Sequence, residues 1–517
     1  MAKFNTAVAK PAGTSPFTST GPAVTHEGAA GAARDAKSEL FLLAVANMVG
    51  EATFYEAGGD RDSRYVELVH QVAVADPAWT SGFLGWLRSG ANMRSASLVG
   101  AAEATRALLK AGQPGGRQLI AAVLQRADEP AEMLAYWTGR YGRAIPKPVK
   151  RGIGDAIGRL YTERALLKYD TASKGFRFGD VLDLVHPSPS APWQGDLFKH
   201  ALDRRHDRDT PIPPVLDVIV RQDFLRAQAR QDATVLLDAD QLRGAGMTWE
   251  DALSLAGDRV DKAALWTALI PSMGYMALLR NLRNFDQAGV TDEVAEQVAK
   301  RLADPEQVAK SRQFPFRFLA AYQAAPSLRW GHALDKALSA SLTNVPELPG
   351  RTLVLVDRSG SMFGRMSERS ELTNADAAAL FGTAVAMRNP GRTDLVEFGN
   401  GSNQISVQPG ESLLRVIGRF GDLGGTDTLG AVRRWYGGHD RVLIVTDEQA
   451  HYGHGTPGSA IPATVPLYTW NLVGYRAGHG ASGPNRHTFA GLTDQAFRMV
   501  PLLEAGRNGA WPWEPTA

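Results

Sequence analysis

The sequence of 517 residues contains no cysteine. Disulfides, thiol nucleophiles and cysteine-based zinc sites are therefore excluded, and any metal ion must be held by oxygen or imidazole ligands. The absence of cysteine is typical of proteins in a reducing interior, so we predict a cytoplasmic location. No apolar run is long enough to span a bilayer. Lysine is absent from Asn344 onwards, where arginine is the only strongly basic residue.

The net charge is also close to zero: 56 basic and 54 acidic residues leave +2 at pH 7. Since lysines are confined to the first two-thirds of the chain, a surface for nucleic acid would be local rather than global. The first 33 residues are rich in Ala, Gly, Thr and Pro and lack the compact apolar stretch of a signal peptide. We predict that residues 1–35 form a flexible tail.

Helical periodicity dominates from about Ser38 to Thr343. Apolar residues recur at three- and four-residue spacing in segments such as RYVELVHQVAV and EVAEQVAKRLA. Acidic residues directly before proline predict helix starts, because the carboxylate can cap the helix and proline fits its first turn. These pairs are Asp76-Pro77, Glu129-Pro130 and Asp304-Pro305. Many helices joined by short turns predict an α-solenoid over residues 36–345, with a globular helical domain as the alternative.

After Gly350 the pattern changes to strands that alternate with helices. Short apolar runs predict buried strands, namely TLVLVD, TDLVEFG, RVLIVTD and VPLYTWNLV. This alternation is typical of a mostly parallel sheet covered by helices on both faces. We therefore predict a multidomain protein in which residues 346–517 form a Rossmann-like α/β domain.

Polar residues follow three segments of the predicted α/β domain. Asp357, Ser359 and Ser361 follow the first strand, Thr426 follows the turn GDLGG, and Asp447 ends the strand RVLIVTD. In an open α/β sheet the carboxyl ends of the strands border one crevice. Two carboxylates and three hydroxyls form the all-oxygen set that Mg²⁺ or another divalent cation prefers. The alternative is a serine-rich turn that only caps the following helix.

Motifs of catalysis do not accompany these residues. The sequence lacks a Walker A lysine motif, a G-x-S-x-G elbow and an H-E-x-x-H motif. Glu448 could be proposed as a general base beside Asp447, but a structural or surface role is favoured. We predict that the protein is not an enzyme and has no catalytic residue.

Groups of basic residues interrupt the helical region. The segment GRYGRAIPKPVKRG places five cations close to Tyr136, Trp137 and Tyr141, and its prolines prevent a continuous helix. Cations on fixed loops beside aromatic rings suit RNA, although a single basic cluster is often a solvated helix face and the rings are also typical of a core. The candidate RNA-binding residues are Arg140, Arg143, Lys147, Lys150, Arg151, Lys168, Lys174, His186, Arg280, Arg283 and Arg312.

These features together resemble the TROVE-domain family, named for telomerase, Ro and vault proteins. The residues D-x-S-x-S at 357–361, with Thr426 and Asp447, resemble the metal-ion-dependent adhesion site of von Willebrand factor A domains. The resemblance spans about Ser38 to the C-terminus and is strongest to the Ro branch with its bacterial orthologues. It rests on the segments ATFY, GRAIPKPVKRGIGDAI, KYDTASKGFRFGDVLDLVHP, ALLRNLRNF and FPFRFLAAYQ, in that order.

The resemblance implies a ring of HEAT-like helical repeats joined by a von Willebrand factor A domain, in a monomeric protein component without membrane contact. It implies a ribonucleoprotein with a Y-like noncoding RNA, with Lys168, Lys174 and His186 in the Y RNA-binding segment. Misfolded or structured RNA would also bind the ring, and RNA ends would pass to a 3′-exonuclease such as polynucleotide phosphorylase.

In the family, the metal of the adhesion site takes an acidic group from a partner. The prolines in IPKPV and HPSPSAPW depart from the animal pattern, which leaves the choice of RNA open. The alternative function is a protein-recruitment scaffold that uses the metal site without RNA.

Overall fold

The computed structural model describes residues 13–46, 49–325, 327–343, 345–368, 370–451, 455–491, 497, 499–506 and 508–514. Within these residues the helical region contains α1 (Ala36–Ala44), α2 (Gly58–Ala75), α3 (Pro77–Ser89), α4 (Arg94–Lys110), α5 (Gly116–Val123), α6 (Glu129–Tyr141), α7 (Lys147–Leu160), α8 (Glu163–Tyr169), α9 (Phe178–Val185), α10 (Pro192–Arg205), α11 (Asp217–Gln231), α12 (Ala239–Gly244), α13 (Trp249–Ala256), α14 (Lys262–Leu269), α15 (Tyr275–Ala288), α16 (Asp292–Ala303), α17 (Pro305–Ser311), α18 (Pro315–Ala324) and α19 (Leu328–Ala340).

Strands and further helices make up the rest of the described residues. They are β1 (Ser19–Val24), β2 (Ala30–Arg34), β3 (Thr352–Asp357), α20 (Asn374–Arg388), β4 (Thr393–Phe398), β5 (Ser402–Gln404), α21 (Leu413–Ile417), α22 (Thr428–Trp435), β6 (Arg441–Thr446), β7 (Leu467–Asn471), β8 (Ala477–Gly478), β9 (Arg486–Ala490) and α23 (Met499–Glu504). The predicted fold class, a helical region followed by an α/β region, is confirmed. The predicted boundary at residue 346 falls between α19 and β3.

Two of the acidic residues before proline cap helices as predicted. Asp76 accepts a hydrogen bond from the Trp79 amide at 3.0 Å, and α3 begins at the next residue. Asp304 caps α17 in the same way. Glu129 instead is the first residue of α6 and is fully buried, where it pairs with Arg88 at 2.6 Å. Its carboxylate holds neighbouring helices together because a buried charge requires a partner.

The helical series closes on itself. The Asn92 side-chain amide, just before α4, donates to the Arg312 carbonyl at 3.1 Å, and the Arg312 guanidinium lies 3.4 Å from the Ser89 carbonyl. These contacts join the first helices to the end of α17, more than 200 residues later. The order of helices alone did not show whether the ring closes.

The sheet region contacts both ends of the helical series. On α2, the buried Arg61 donates to the Val473 carbonyl at 2.5 Å. On α19, Asp335 accepts from the Ser412 hydroxyl at 2.7 Å. The sheet region therefore bridges the two ends, as the resemblance implied. No helix among the described residues has both the length and the apolar character that a membrane span requires.

The main sheet has six strands in the described part of the chain, in the order β5-β4-β3-β6-β7-β9. All neighbours are parallel except the edge pair β4 and β5. Every residue of β3 and β6 is buried, which is typical of central parallel strands covered on both faces. The Thr373 hydroxyl caps α20 by accepting a hydrogen bond from the Asp376 amide at 3.2 Å. The mostly parallel sheet is thereby confirmed.

The prediction of a flexible tail is wrong for residues 19–34. Strands β1 and β2 form an antiparallel hairpin, and β2 also pairs with β8. Small residues permit this close approach, since a Cβ atom on Gly31 would lie only 2.2 Å from the Gly478 carbonyl oxygen. The Ala and Gly content thus reflects tight docking on the sheet region rather than disorder. Residues 1–12 lie outside the described residues.

Gly82 provides a test of how the C-terminal tryptophans dock. A Cβ atom on Gly82 would lie 2.3 Å from Trp513, which packs on α3 with ring centroids 5.2 Å from Trp79. A Cβ atom added to Gly85, in the same helix, would have no described atom within 4 Å. Gly82→Ala should lower the free energy of unfolding by about 1–3 kcal/mol through overpacking. Gly85→Ala should raise it by about 0.5–1 kcal/mol through helix propensity.

Urea denaturation of both variants measures the difference. Equal unfolding midpoints would contradict the docking of Trp513 against α3.

Candidate functional site

The five candidate metal ligands meet at the carboxyl edge of the sheet. β3 and β6 are parallel neighbours, so Asp357 at the end of β3 lies beside Asp447, which directly follows β6. All five side chains are buried, with the exposed fraction of each residue between zero and 6%. The crevice at the strand ends is therefore closed to bulk water.

Hydrogen bonds shape the loop after β3. The Ser359 amide donates to Asp357 Oδ1 at 2.9 Å, and the hydroxyl oxygens of Ser359 and Ser361 lie 3.3 Å apart. The Ser361 hydroxyl also lies beside the Asp447 carboxylate. The two serines therefore face the space between the aspartates, as the sequence pattern predicted.

A second loop brings Thr426 to the same crevice. The Gly360 amide donates to the Gly424 carbonyl at 2.5 Å, which joins the two loops. Gly424 has a φ of +73°, a conformation that favours glycine. The Thr426 carbonyl in turn accepts from the His451 amide at 3.0 Å. Thr426 therefore lies at the carboxyl ends of the strands, as the sequence predicted.

The two aspartates carry an uncompensated charge. Burial raises the pKa of Asp357 and of Asp447, and the Asp357 charge raises the pKa of Asp447 further. Asp447 Oδ2 is buried and has no hydrogen-bond partner among the described residues. A buried, unpartnered carboxylate oxygen is costly unless a cation or donor satisfies it. The arrangement fits a hard divalent cation held by carboxylate and hydroxyl oxygens.

Hydroxyls would be essential to such a site. The described residues contain no group of three or more His, Asp or Glu side chains that could hold a metal ion. Asp357 and Asp447 supply two carboxylates, so Ser359, Ser361 and Thr426 must supply the remaining protein oxygens.

Arg358 and Glu448, which follow two of the candidate ligands in the sequence, point away from the crevice. The Arg358 guanidinium donates to the Gly421 and Ala375 carbonyls at 2.6 and 2.8 Å, so it does not enter the crevice. Glu448 is fully buried, where Arg34 and Asn471 each donate to it at 2.5 Å. Glu448 is thus a structural carboxylate of the core, consistent with the favoured interpretation and not with a general base.

The structure adds two residues at this site that the sequence pattern did not indicate. The Tyr55 hydroxyl lies beside Ser361, and it donates a short hydrogen bond to Glu27 in the β1–β2 hairpin. Burial and the Glu27 carboxylate raise the pKa of Tyr55. Both residues are distant in sequence from the candidate ligands, so no spacing could have related them to the crevice.

A first group of candidate RNA-binding residues surrounds α7. Its first turns carry Lys147, Lys150 and Arg151, and Arg143 precedes it in the loop after α6. His186 ends α9, and a Cβ atom on Gly154 of α7 would lie 3.8 Å from the residue after His186. The helix that carries these cations therefore packs against the end of α9, next to His186. Lys174 lies in the loop between α8 and α9.

A second group lies where α8, α15 and α17 approach one another. Lys168 and Lys310 line one cavity of about 440 Å³, although they are more than 140 residues apart in sequence. Burial lowers the pKa of Arg317, and the nearby charge of Arg280 lowers it further. Arg283 lies one turn after Arg280 on α15, and Arg312 ends α17 at the ring closure.

Most of the candidate RNA-binding residues have no ion pair, a property that they share with other exposed basic residues of the helical region such as Lys110, Lys199 and Arg230. Arg140 pairs with Glu103 at 2.9 Å. For the remaining candidate RNA-binding residues the structure contains no ion pair with another described residue. All of them are exposed except Lys150, which is half-buried. Their charges are thus available to a partner.

The aromatic residues of this region belong to the core. Trp137 is fully buried, and the hydroxyls of Tyr136 and Tyr141 each donate to Glu103 at 2.5 Å. The core alternative is therefore correct for these rings, which leaves the exposed cations as the features available to RNA.

Comparisons with known proteins agree with this architecture. The TROVE domain pattern matches residues 243–329. Over 83 residues the chain is 43% identical to "Telomerase protein component 1" of Mus musculus and to that of Rattus norvegicus. These matches cover 16% of this chain and about 3% of the length of either relative.

A solved structure extends the likeness to nearly the whole chain. The Deinococcus radiodurans Ro (Rsr) protein superposes with a TM-score of 0.61 and 19% identity, over 91% of this chain and 100% of that chain. The chain therefore has the Ro fold, and the predicted resemblance to TROVE proteins is confirmed.

Metal binding can be tested through Asp447. Without a divalent cation, Asp447→Asn should melt at the same or a higher temperature than the parent, because it removes an unpartnered buried carboxylate. Saturating Mg²⁺ or Mn²⁺ should raise the melting temperature of the parent but not of the variant. At a hundredfold excess over Kd the stabilisation is about 2.7 kcal/mol.

The control is Asp258→Asn, which removes an exposed carboxylate that pairs with Lys262. It should respond to the cation as the parent does. Equal stabilisation of the parent and Asp447→Asn would remove Asp447 from the metal site.

Proposed function

We propose that this TROVE-domain protein binds structured RNA on the two groups of exposed cations and is not an enzyme. The single observation that carries the proposal is the set of exposed cations without ion pairs on α7, α8 and α15, of which Lys168 lines a cavity between α8, α15 and α17. Unpaired cations near one another repel, so they are retained at a cost in stability. A polyanion removes that repulsion and releases its own counterions.

The N-terminus of α7 supports a phosphate contact. Its first turn contains no acidic residue, although carboxylates there usually stabilise a helix. Instead Lys147 and Lys150 add positive charge to the positive end of the helix dipole. Backbone amides and cations at such an end together suit a phosphate group. The prolines at 146 and 148 hold this turn in place.

The finer features of the proposal come from the TROVE resemblance. A Y-like noncoding RNA would contact Lys168, Lys174 and His186, and misfolded RNA would use the same cationic surfaces. RNA ends would pass to a 3′-exonuclease. The exposure of these three side chains supports this assignment.

The crevice at the strand ends would hold Mg²⁺ through Asp357, Ser359, Ser361, Thr426 and Asp447. When bound, the cation supplies positive charge that balances the two buried carboxylates. Because all five side chains are buried, they would limit the access of bulk water to the cation.

Replacement of Lys168 and Lys174 by alanine tests the RNA proposal. The double variant should bind host RNA less tightly, and the slope of log K against log salt should flatten by about 0.7–0.9 for each lost phosphate contact. Fluorescence anisotropy of labelled RNA across a potassium chloride series measures both quantities.

The matched control removes Lys262 and Lys300 instead. These exposed lysines have ion pairs with Asp258 and Glu296, so the change in net charge is the same but the lost cations are paired. An unchanged slope in the folded Lys168/Lys174 variant, or an equal change in the control, would exclude these residues from the interface.

The ratio of absorbance at 260 and 280 nm of the purified protein separates RNA binding from the scaffold alternative. Co-purified RNA should raise the ratio, and nuclease treatment should lower it. Absence of bound RNA, together with no complex in low-salt buffer, would favour a protein-recruitment scaffold.

A further inference from the structure

The tip of the β1–β2 hairpin docks on the segment that follows Asp447. The Thr25 hydroxyl donates to the Ala450 carbonyl at 2.9 Å, and the His26 amide donates to the Gln449 side chain at 2.8 Å. Gly28 pairs with His451 as an isolated bridge. Residues 25–28 therefore lie against the chain that leaves the candidate metal site.

Glu27 lies at this tip, close to the candidate metal ligands. One of its carboxylate oxygens accepts the hydrogen bond from Tyr55, whose hydroxyl also lies beside Ser361. The other lies 3.1 Å from His451 Nδ1, and the His451 amide donates to the Thr426 carbonyl. A single residue thus separates Glu27 from each of two candidate ligands, Ser361 and Thr426.

Aromatic packing holds Tyr55 in this position. Its ring stacks on His26 with centroids 4.9 Å apart and an angle of 3° between the planes. The Tyr475 ring packs edge-on against the Tyr55 ring, with 5.5 Å between the ring centroids. The Tyr475 hydroxyl also accepts a hydrogen bond from the Tyr55 amide at 3.3 Å. Tyr55 and Glu27 together cover the crevice from the side of the hairpin.

The base of the hairpin is anchored separately. Arg34, at the end of β2, pairs with Glu448 at 2.5 Å, and both side chains are almost fully buried. Breaking a buried ion pair is strongly destabilising, so this contact holds the hairpin on the sheet region without any metal.

We propose that the chain supplies its own acidic group to the metal site, and that this group is Glu27. The inference rests on the proposed metal site. Asp447 Oδ2 is buried and without a described partner, and Tyr55 links the Glu27 carboxylate to Ser361. Glu27 does not form a three-carboxylate group with the two aspartates in this structure, so it would exchange its contacts with Tyr55 and His451 for the cation. A divalent cation would attract this carboxylate and fix the hairpin tip. The site would then be closed by the chain itself instead of capturing an acidic group from a partner.

The first experiment measures Mn²⁺ affinity of the full chain by calorimetry. Glu27→Gln keeps the size of the side chain but removes its charge and one of its two acceptor oxygens, so affinity should fall about tenfold. Glu296→Gln is the matched control, since it neutralises an exposed glutamate on α16. The control should bind Mn²⁺ as the parent does.

The second experiment follows hydrogen exchange of residues 19–34 with and without Mn²⁺. Exchange near the hairpin tip should slow with Mn²⁺ in the parent and the control, but not in Glu27→Gln. Without metal all three proteins should exchange alike at the base of the hairpin, because the Arg34–Glu448 pair remains in each.

The outcomes separate the two proposals. If the parent binds no Mn²⁺, the metal site fails, and the role of Glu27 fails with it. If Asp357→Asn abolishes binding but Glu27→Gln binds Mn²⁺ as tightly as the parent and protects the hairpin equally, the metal site stands and the role of Glu27 is overturned.

Discussion

The fold of the sheet region depends on one constraint, the parallel pairing of β3 with β6 that brings Asp357 and Asp447 into a crevice closed to water. Two carboxylates in a low-dielectric site repel and lose their hydration. Local positive charge offsets this only in part: the Arg358 charge lowers the pKa of Asp357, but its guanidinium donates to main-chain carbonyls, and Arg34 pairs with Glu448. The neighbouring loops therefore turn hydroxyls towards the crevice, and the hairpin covers it.

Basic residues of the helical region have two different roles. Arg88 and Arg177 are largely buried and pair with the carboxylates of Glu129 and Asp170, so they hold helices together. The cations of α7, Lys168 and the α15 face have no such partners among the described residues and remain exposed. This separation matters more for function than the net charge, because a polyanion responds to local unpaired charge.

Much of the fold could be predicted from local pattern. Caps such as Asp76 and Thr373 act within three residues, so their effect is visible in the sequence. The strands β3 and β6 were recognisable as short apolar runs because both of their faces are buried. The β1–β2 hairpin was not, since alanine and glycine strands have little intrinsic preference for sheet and form here by docking on β8.

The sequence by itself determined the order of helices and strands, the candidate oxygen ligands after β3 and β6, and the absence of thiol chemistry. These depend on residue type and short spacing. Only the tertiary structure decided which helices carry their cations side by side, that Tyr136 and Tyr141 pack against the core, and that Glu27 contacts Tyr55 beside the crevice. Those outcomes depend on contacts between segments that are tens to hundreds of residues apart. A local sequence pattern does not specify which segments will meet.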